Sequence, residues 1–209
     1  MKTYTILLGG EVHPCSRLID AIRGTNVIAA DSGIRHAEGL NVTPDLWVGD
    51  FDSSDNHLIK QYAHVETLSF NSDKDMTDGE IAIQRALELG AERLILVGAF
   101  GGSRMEHEFC HFTQAMRLAH GDTVVEMIDG SKEAHPIPPG RPINFDYPAG
   151  TSFSILGFSD LEGLSIVGAR WPLDKANVAF GSSLTLSNET VGPLSVSLKS
   201  GSALLLLNL

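Results

Sequence analysis

The stretch LWVGDFDSSD, residues 46–55, decides how the first half of this chain is interpreted. It begins with a short apolar run, passes through a glycine, and then carries three carboxylates within six residues, at Asp50, Asp52 and Asp55. The apolar run indicates a buried strand, and the glycine indicates a turn at its end. Like charges held this close raise one another's pKa unless a cation lies between them. The stretch therefore either faces water or holds a metal ion.

Short β-like runs and helical runs alternate on both sides of this stretch. The predicted strands, with their turns, are 3–10, 26–33, 45–53, 93–102 and 122–129, and the predicted helices are 16–24, 34–41, 77–91 and 106–121. Helix 77–91 carries the clearest signal, because Thr77 and Glu80 have the spacing of a capping box. This alternation predicts an α/β domain with a mainly parallel sheet and helices on both faces.

The second half of the chain has a different pattern. Residues 136–150 are rich in proline and glycine, and short segments with recurring turn signals follow them: 151–158, 164–171, 177–183, 184–188, 194–201 and 203–209. Such spacing is typical of an antiparallel sandwich or barrel. We therefore expect two domains, an α/β domain over residues 1–125 and a smaller antiparallel β-domain over residues 126–209.

Composition and charge exclude several classes of function. The 209-residue chain is 43% hydrophobic and 20% charged, with a net charge of −11. The negative charge argues against unaided binding to nucleic acid or to an anionic membrane, but a divalent cation would still allow a phosphate ligand. No apolar run approaches the length of a membrane span. Cys15 and Cys110 have no disulfide or metal-site spacing, so we expect reduced thiols in a cytoplasmic protein.

Acidic residues recur where the predicted strands end. Asp31 follows one strand, Asp50 and Asp52 follow the next, and Asp75 and Asp78 lie just before and within the start of helix 77–91. Ligands of parallel sheets bind beyond the carboxyl ends of the strands, and carboxylate oxygens suit Mg²⁺. The alternative is that each aspartate is a turn or helix-cap residue. The Asp50–Asp52 pair equally fits a D-x-D phosphohydrolase of the haloacid dehalogenase type or a nucleotide-sugar transferase with a D-x-D motif.

A glycine-rich segment supplies a candidate phosphate site. Gly98, Gly101 and Gly102 lie between a predicted strand and a predicted helix, and Arg104 and His107 follow them. Backbone N–H groups in such a loop can surround phosphate oxygens, and arginine adds a fork of donors. The alternative interpretation is a glycine-rich turn followed by a surface arginine.

Together these motifs resemble the thiamine pyrophosphokinase (thiamine diphosphokinase) family along nearly the whole chain. The matching stretches, in the family's order, are AADSG at 29–33, PDLWVGDFDS at 44–53, KDMTD at 74–78, GGSRMEH at 101–107 and FGSSLTLSNE at 180–189. The resemblance implies transfer of a pyrophosphoryl group from ATP to thiamine, giving thiamine diphosphate and AMP, with Mg²⁺. It also implies a Rossmann-like α/β domain, a β-sandwich domain and a homodimer.

The resemblance assigns roles to the acidic and glycine-rich motifs. It implies catalytic roles for Asp31, Asp75 and Asp78, with Asp31 orienting substrate or taking the proton of the attacking hydroxyl, although Asp78 could instead hold its loop together. It implies Mg²⁺ ligation by Asp50, Asp52 and Asp75. The residues that it implies for ATP and its phosphates are Gly101, Gly102, Arg104, Glu106 and His107.

For thiamine, the resemblance points to the second domain. Ser187 and Asn188 match the family's Ser-Asn and are expected to hydrogen-bond the aminopyrimidine edge. Thr185 and Trp171 are further thiamine-binding candidates, although an aromatic residue in a sandwich more often packs in its core.

One position departs from the family pattern. Glu106 stands where the family usually has aspartate, two residues after Arg104. Its side chain is one methylene longer, and such a shift lowers turnover if the carboxylate orients a catalytic group. A non-catalytic thiamine- or nucleotide-binding protein on the same fold therefore stays open as an alternative. The D-x-D phosphohydrolase fits less well, because the first strand ends in Gly9, Gly10 and Glu11 without an aspartate.

Overall fold

The computed structural model of this chain describes residues 1–51, 56–69 and 75–209. The chain divides into two compact units. The first comprises Met1–Phe109 with Met127–Gly130, and the second comprises Cys110–Glu126 with Ser131–Leu209. Helix α4, Met105–Ala119, and strand β6, Val124–Ile128, both cross this division. The sequence-based boundary between residues 125 and 126 stays a prediction.

A parallel sheet forms the centre of the first unit. Among the described residues, five of its strands are β1 Thr3–Leu7, β2 Asn26–Ala30, β3 Leu46–Gly49, β4 Glu66–Ser69 and β5 Arg93–Val97. They lie in the order β5-β1-β2-β3-β4, and each neighbouring pair is parallel. All five carboxyl ends therefore meet at one edge of the sheet, where Asp31 follows β2 and Asp50 follows β3.

Helices connect these strands and cover their apolar residues. They are α1 Ser16–Ile22, a 3₁₀ helix Asp31–His36, α2 Asn56–Gln61 and α3 Asp78–Glu88. Helix α3 contacts β1, β2 and β3 through a buried face that includes Ala82, Ile83 and Ala86, at the spacing of one helical stripe. The predicted cap is confirmed, because the Thr77 hydroxyl accepts from the backbone N–H of Glu80 at 3.2 Å.

The second unit is antiparallel, as predicted. Its strands are β7 Lys132–Ile137, β8 Ile143–Phe145, β9 Ser152–Gly157, β10 Leu161–Ala169, β11 Leu173–Val178, β12 Asn188–Ser197 and β13 Ala203–Asn208. One layer contains β7, β13 and β9, and the other contains β8, β12, β10 and β11. Strand β12 joins them, because its first residues pair with β9 and its later residues pair with β8 and β10.

Apolar side chains from both layers form one core in the second unit. Phe153 and Leu205 come from the first layer, and Leu164 and Val196 come from the second, and each is at most 1% exposed. Alternating burial along the strands, clearest in β10, matches a sheet with one face packed on a core. The mixed fold class predicted from the sequence, with a mainly parallel α/β part followed by an antiparallel sandwich, is confirmed.

Several local predictions differ from the structure, and three of them show why. The helix expected at 34–41 is a 3₁₀ helix that already begins at Asp31. The segment 184–188 is a loop up to Ser187, and only Asn188 belongs to β12. Strand β7 extends into the proline-rich stretch 136–150, which was not predicted to contain a strand, and Pro136 pairs there with Leu204. Each difference arises because tertiary contacts override a short local pattern.

Among the described residues, no helix combines the length and apolar character required to cross a membrane.

Candidate active site

The carboxyl ends of β2 and β3 bring Asp31 and Asp50 to neighbouring positions. Asp31 follows directly after β2 and Asp50 directly after β3, and the register pairs Ala30 with Val48. A β-carbon at Gly49 would lie 3.5 Å from the Cα atom of Asp31. Both aspartates are half-buried. Two of the predicted site residues, Asp31 and Asp50, therefore lie next to each other at the carboxyl ends of neighbouring strands.

The backbone of Asp31 is held in an uncommon conformation. Its φ angle is 45° and that of Phe51 is 61°, and both lie in the left-handed region that residues other than glycine seldom adopt. The buried Trp47 indole donates to the Asp31 carbonyl at 2.9 Å, and its ring meets that of Phe51 edge to face at 4.9 Å. Such strain persists only where surrounding contacts fix it, and it clusters at functional sites.

The glycine of the AADSG stretch allows this turn to pack against β1. A β-carbon at Gly33 would collide with the carbonyl oxygen of Leu7. The loop after β1 is also close to this turn, because a β-carbon at Gly9 would lie 2.7 Å from the Ser32 hydroxyl oxygen. The turn after β2 therefore lies directly against the end of β1.

Asp75 and Asp78 lie at the start of α3. Asp75 is exposed in the bend before the helix, and Asp78 is half-buried as its first residue. Negative charge in the first turn of a helix is favoured by its dipole, so Asp78 also stabilises α3. Asp52 lies outside the described residues, and so does Asp55.

No complete metal site is assembled within residues 1–51, 56–69 and 75–209, where no group of three or more His, Cys, Asp or Glu side chains is placed to hold an ion. The predicted Mg²⁺ ligands within this part are Asp50 and Asp75, and the third falls in the stretch 52–55. The ligand set of Asp50, Asp52 and Asp75 stays a prediction.

The glycine-rich loop after β5 pairs with the loop after β1. The N–H of Gly10 donates to the Gly98 carbonyl at 2.9 Å, and the N–H of Glu11 donates to the Phe100 carbonyl at 2.8 Å. A β-carbon at Gly102 would lie 3.7 Å from the Cα atom of Gly10. The sequence interpretation treated Gly9 and Gly10 only as the end of a strand. Their pairing with the glycine-rich loop after β5 follows from the β1–β5 contact, which no local pattern reveals.

The donors predicted to bind phosphate face carboxylates in the structure. The N–H of Gly101 donates to the Glu108 carboxylate at 3.1 Å, and Arg104 donates through Nε to the Glu106 carboxylate at 2.9 Å. The hydrogen bond from Arg104 lowers the pKa of Glu106. The remaining member of this predicted set, His107, donates its backbone N–H to the Arg104 carbonyl at 3.0 Å.

Two basic residues at this edge were not predicted from the sequence. Arg35 donates to the carbonyl oxygens of Gly9 and Gly10, the latter at 3.1 Å, and His36 lies 3.0 Å from the Gly10 carbonyl through Nε2. Burial, with a smaller contribution from the Arg35 charge, lowers the pKa of His36. The only sequence signal was two basic residues after the AADSG stretch.

In the second unit, Thr185 and Asn188 bind backbone groups. The buried Thr185 hydroxyl donates to the Ile155 carbonyl at 2.7 Å. The Asn188 amide accepts from the N–H of Trp171 at 3.1 Å and donates to the Trp171 carbonyl at 2.8 Å. Ser187 has a φ angle of 59°, and its N–H donates to the Ser154 hydroxyl. Asn188 and Trp171 are therefore adjacent, as expected for residues of one site.

Trp171 is exposed, and the alternative that it packs in the sandwich core is wrong. Its residue surface is 53% accessible. The Arg170 guanidinium lies 4.8 Å from the indole centroid and pairs with the Glu189 carboxylate at 3.2 Å. An exposed aromatic face beside hydrogen-bonding groups is suited to a flat ring of a ligand.

Comparisons with known proteins match both parts of the chain. The family model described as "Thiamin pyrophosphokinase, catalytic domain" matches residues 23–127, and "Thiamin pyrophosphokinase, vitamin B1 binding domain" matches residues 142–205. The chain is 27% identical over 203 residues to the thiamine pyrophosphokinase of Bacillus subtilis strain 168, and the match covers 91% of each chain.

Solved structures show the same fold. The crystal structure of thiamine pyrophosphokinase from Bacillus subtilis matches with a TM-score of 0.87 and 22% identity over 99% of both chains. That from Geobacillus thermodenitrificans has a TM-score of 0.84 and 24% identity, over 99% of this chain and 97% of the other. Thiamin pyrophosphokinase from Candida albicans has a TM-score of 0.82 and 14% identity, over 99% and 90%.

Proposed function

Because the chain belongs to the thiamin pyrophosphokinase family and is a thiamine diphosphokinase, we propose that it transfers a pyrophosphoryl group from ATP to thiamine with Mg²⁺. The products are thiamine diphosphate and AMP. The observation that supports this most is the adjacency of Asp31 and Asp50 at two neighbouring strand ends. The family also argues against the D-x-D phosphohydrolase.

The transfer is one displacement at the β-phosphorus of ATP. The hydroxyethyl oxygen of thiamine forms a bond to this phosphorus, the bond from the phosphorus to the oxygen of the α-phosphate breaks, and AMP leaves with that electron pair. In our proposal Asp31 orients the hydroxyl and takes its proton. Such reactions depend mainly on in-line positioning and on stabilising developing charge. The fixed backbone of Asp31 suits a positioning role.

The residues proposed to hold Mg²⁺ are Asp50, Asp75 and Asp52. Their oxygen donors fit a hard cation that keeps part of its shell for water and phosphate. When bound, Mg²⁺ would neutralise polyphosphate charge. Asp78 belongs to the same segment, where it starts α3 and supports the loop that carries Asp75.

The segment around α4 is proposed to bind the ATP phosphates. Gly101 and Gly102 offer backbone N–H groups, and Arg104 offers guanidinium donors. Glu106 directs the Arg104 side chain, and His107 adds a further polar group. The pair of Arg104 and Glu106 is two-thirds exposed, so a ligand can displace it at small cost.

Thiamine is proposed to bind in the second unit. Trp171 would stack on its pyrimidine, while Asn188 and Ser187 supply polar groups beside it and Thr185 holds the loop. Because the Asn188 amide already binds the Trp171 backbone, its main contribution is to position that ring.

We also propose a cytoplasmic homodimer. Large apolar side chains are exposed on the second unit, at Val167, Phe180, Leu184 and Val191, each more than 60% accessible. Exposed apolar side chains favour an interface where they form one patch, and these four are our candidates for such a patch. Light scattering after size exclusion would give about twice the chain mass of 22.4 kDa for a dimer, and the single chain mass would contradict it.

The proposed reaction is tested by product analysis. Purified protein is incubated with thiamine, ATP and Mg²⁺, and each component is omitted in turn. We expect AMP and thiamine diphosphate in equal amounts and only in the complete mixture. Inorganic phosphate without AMP would contradict the proposal, and thiamine binding without any product would indicate a binding protein that lacks the chemistry.

A further inference from the structure

The N–H of Gly101 is already bound by a carboxylate of its own chain. It donates to Oε2 of Glu108 at 3.1 Å, and this contact is part-buried. Glu108 lies in the first turn of α4, which begins at Met105. A carboxylate on a loop N–H occupies the position where a phosphate oxygen would accept the same hydrogen.

A second carboxylate lies beside the same glycine. A β-carbon at Gly101 would come within 2.8 Å of the Glu11 carboxyl carbon. Gly101 and Gly102 have φ angles of 66° and 89°, so the loop takes a shape that only glycine adopts easily. Two carboxylates, those of Glu108 and Glu11, therefore lie beside Gly101, where a polyphosphate would add further negative charge.

We propose that Glu108 is an internal competitor for the phosphate-binding N–H of Gly101 and thereby lowers the affinity for nucleotide. This inference rests on the proposed ATP site. A bound phosphate oxygen takes the N–H, and the displaced Glu108 carboxylate must turn to water. The free energy of nucleotide binding is therefore reduced by the energy needed to break the hydrogen bond between Glu108 and Gly101. This reduction is sizeable because hydrogen bonds to charged groups are stronger than those between neutral groups.

The rival explanation is structural, in which Glu108 only anchors the loop. The two explanations predict opposite results for Glu108→Ala, and Glu108→Gln serves as a comparison that keeps an acceptor for the N–H. If Glu108 is a competitor, alanine removes it and nucleotide binds more tightly. If Glu108 is an anchor, alanine loosens the loop and weakens binding, while glutamine, which still accepts from the N–H, preserves it.

The test is calorimetric titration of the full-length protein and these two variants with ATP and Mg²⁺. The control is Glu66→Gln, the same charge change at an exposed residue at the amino end of β4, on the opposite edge of the sheet. We expect Kd to fall about five- to tenfold for Glu108→Ala, in line with loss of a charge-assisted hydrogen bond, and to change less than about twofold for the control.

The outcomes separate this inference from the proposed function. Weaker ATP binding by Glu108→Ala with wild-type binding by Glu108→Gln would overturn the competitor role while leaving the ATP site intact. Unchanged affinity in both variants would overturn it as well. If the wild-type protein and every variant fail to bind ATP, the proposed nucleotide site is wrong and the inference falls with it. Thermal melting of each variant checks that α4 remains folded.

Discussion

The two units use their predicted ligand residues in opposite ways. In the first unit, Asp31 and Asp50 stand half-buried at strand ends, and the framework around them consists of other residues such as Trp47. In the second unit, Thr185 and Asn188 are themselves the framework, because their side chains bind backbone groups. A polar residue of a motif can therefore act by positioning a neighbouring residue instead of contacting a ligand itself. Chemistry is then expected in the first unit and positioning in the second.

The largest loss of stability should follow from removing the packing and the hydrogen bond that hold the Asp31 backbone in the first unit. Trp47 is buried and donates to the Asp31 carbonyl. Trp47→Ala removes both packing and this hydrogen bond and should lower the free energy of unfolding by about 3–5 kcal/mol. Urea denaturation measures the change. Trp47→Phe, which keeps most of the packing, should lose far less, and equal losses would deny the packing role of the indole.

Asp50→Asn should remove activity without unfolding the protein. The substitution keeps the size of the side chain but removes the charge that we propose for Mg²⁺, so kcat should fall about 100- to 1,000-fold. The melting temperature should stay within a few degrees of the wild-type value. Asp20→Asn, on the exposed face of α1, serves as the control. Near-normal turnover by Asp50→Asn would exclude Asp50 from the metal site, and the same test applies to Asp52→Asn.

Asn188→Ala should affect stability and thiamine binding together. The buried amide holds the Trp171 backbone through two hydrogen bonds, so its loss should cost about 1–3 kcal/mol. We expect the KM for thiamine to rise more than kcat falls. Steady-state kinetics and thermal melting measure the two effects, and the exposed Asn144→Ala on β8 is the matched control. A normal KM would place the pyrimidine elsewhere.

The smallest effect concerns pH. The pKa of His36 is lowered from its ordinary value of 6.5 in the folded chain. The unfolded chain therefore binds this proton first as the pH falls, so the free energy of unfolding should decrease below about pH 6.5. His36→Gln, whose amide can still donate to the Gly10 carbonyl, should show a weaker decrease between pH 7 and about 5. Urea midpoints across this range measure it, with the exposed His64→Gln as control. An unchanged slope would exclude His36 as its source.

Much of the fold was predictable because its signals are local. The five strands of the first unit alternate with helices, and four of the strands were predicted from their apolar runs. The cap at Thr77 follows from spacing alone, and it is present. Asp31 and Asp50 lie at one edge of the sheet, as predicted, because the carboxyl ends of neighbouring parallel strands point the same way.

The remainder depends on contacts between distant segments. The contact of Glu108 with Gly101 needs two glycines with positive φ angles, and the pairing of Gly10 with Gly98 needs β1 to lie beside β5. The exposure of Trp171 could not be inferred either, because it depends on where β10 ends. The hydrophobic pattern predicts helices and strands, but it does not specify which loops contact one another in the folded chain.

The proposal that the first unit carries the chemistry and the second unit positions thiamine is tested most directly by comparing the kinetics of Asp31→Asn and Trp171→Ala. Initial rates are measured over a range of thiamine concentrations at saturating ATP and Mg²⁺. We predict that Asp31→Asn lowers kcat and leaves the KM for thiamine nearly unchanged, whereas Trp171→Ala raises this KM and retains most of kcat. The reverse pattern, with turnover lost in Trp171→Ala and binding lost in Asp31→Asn, would contradict the account.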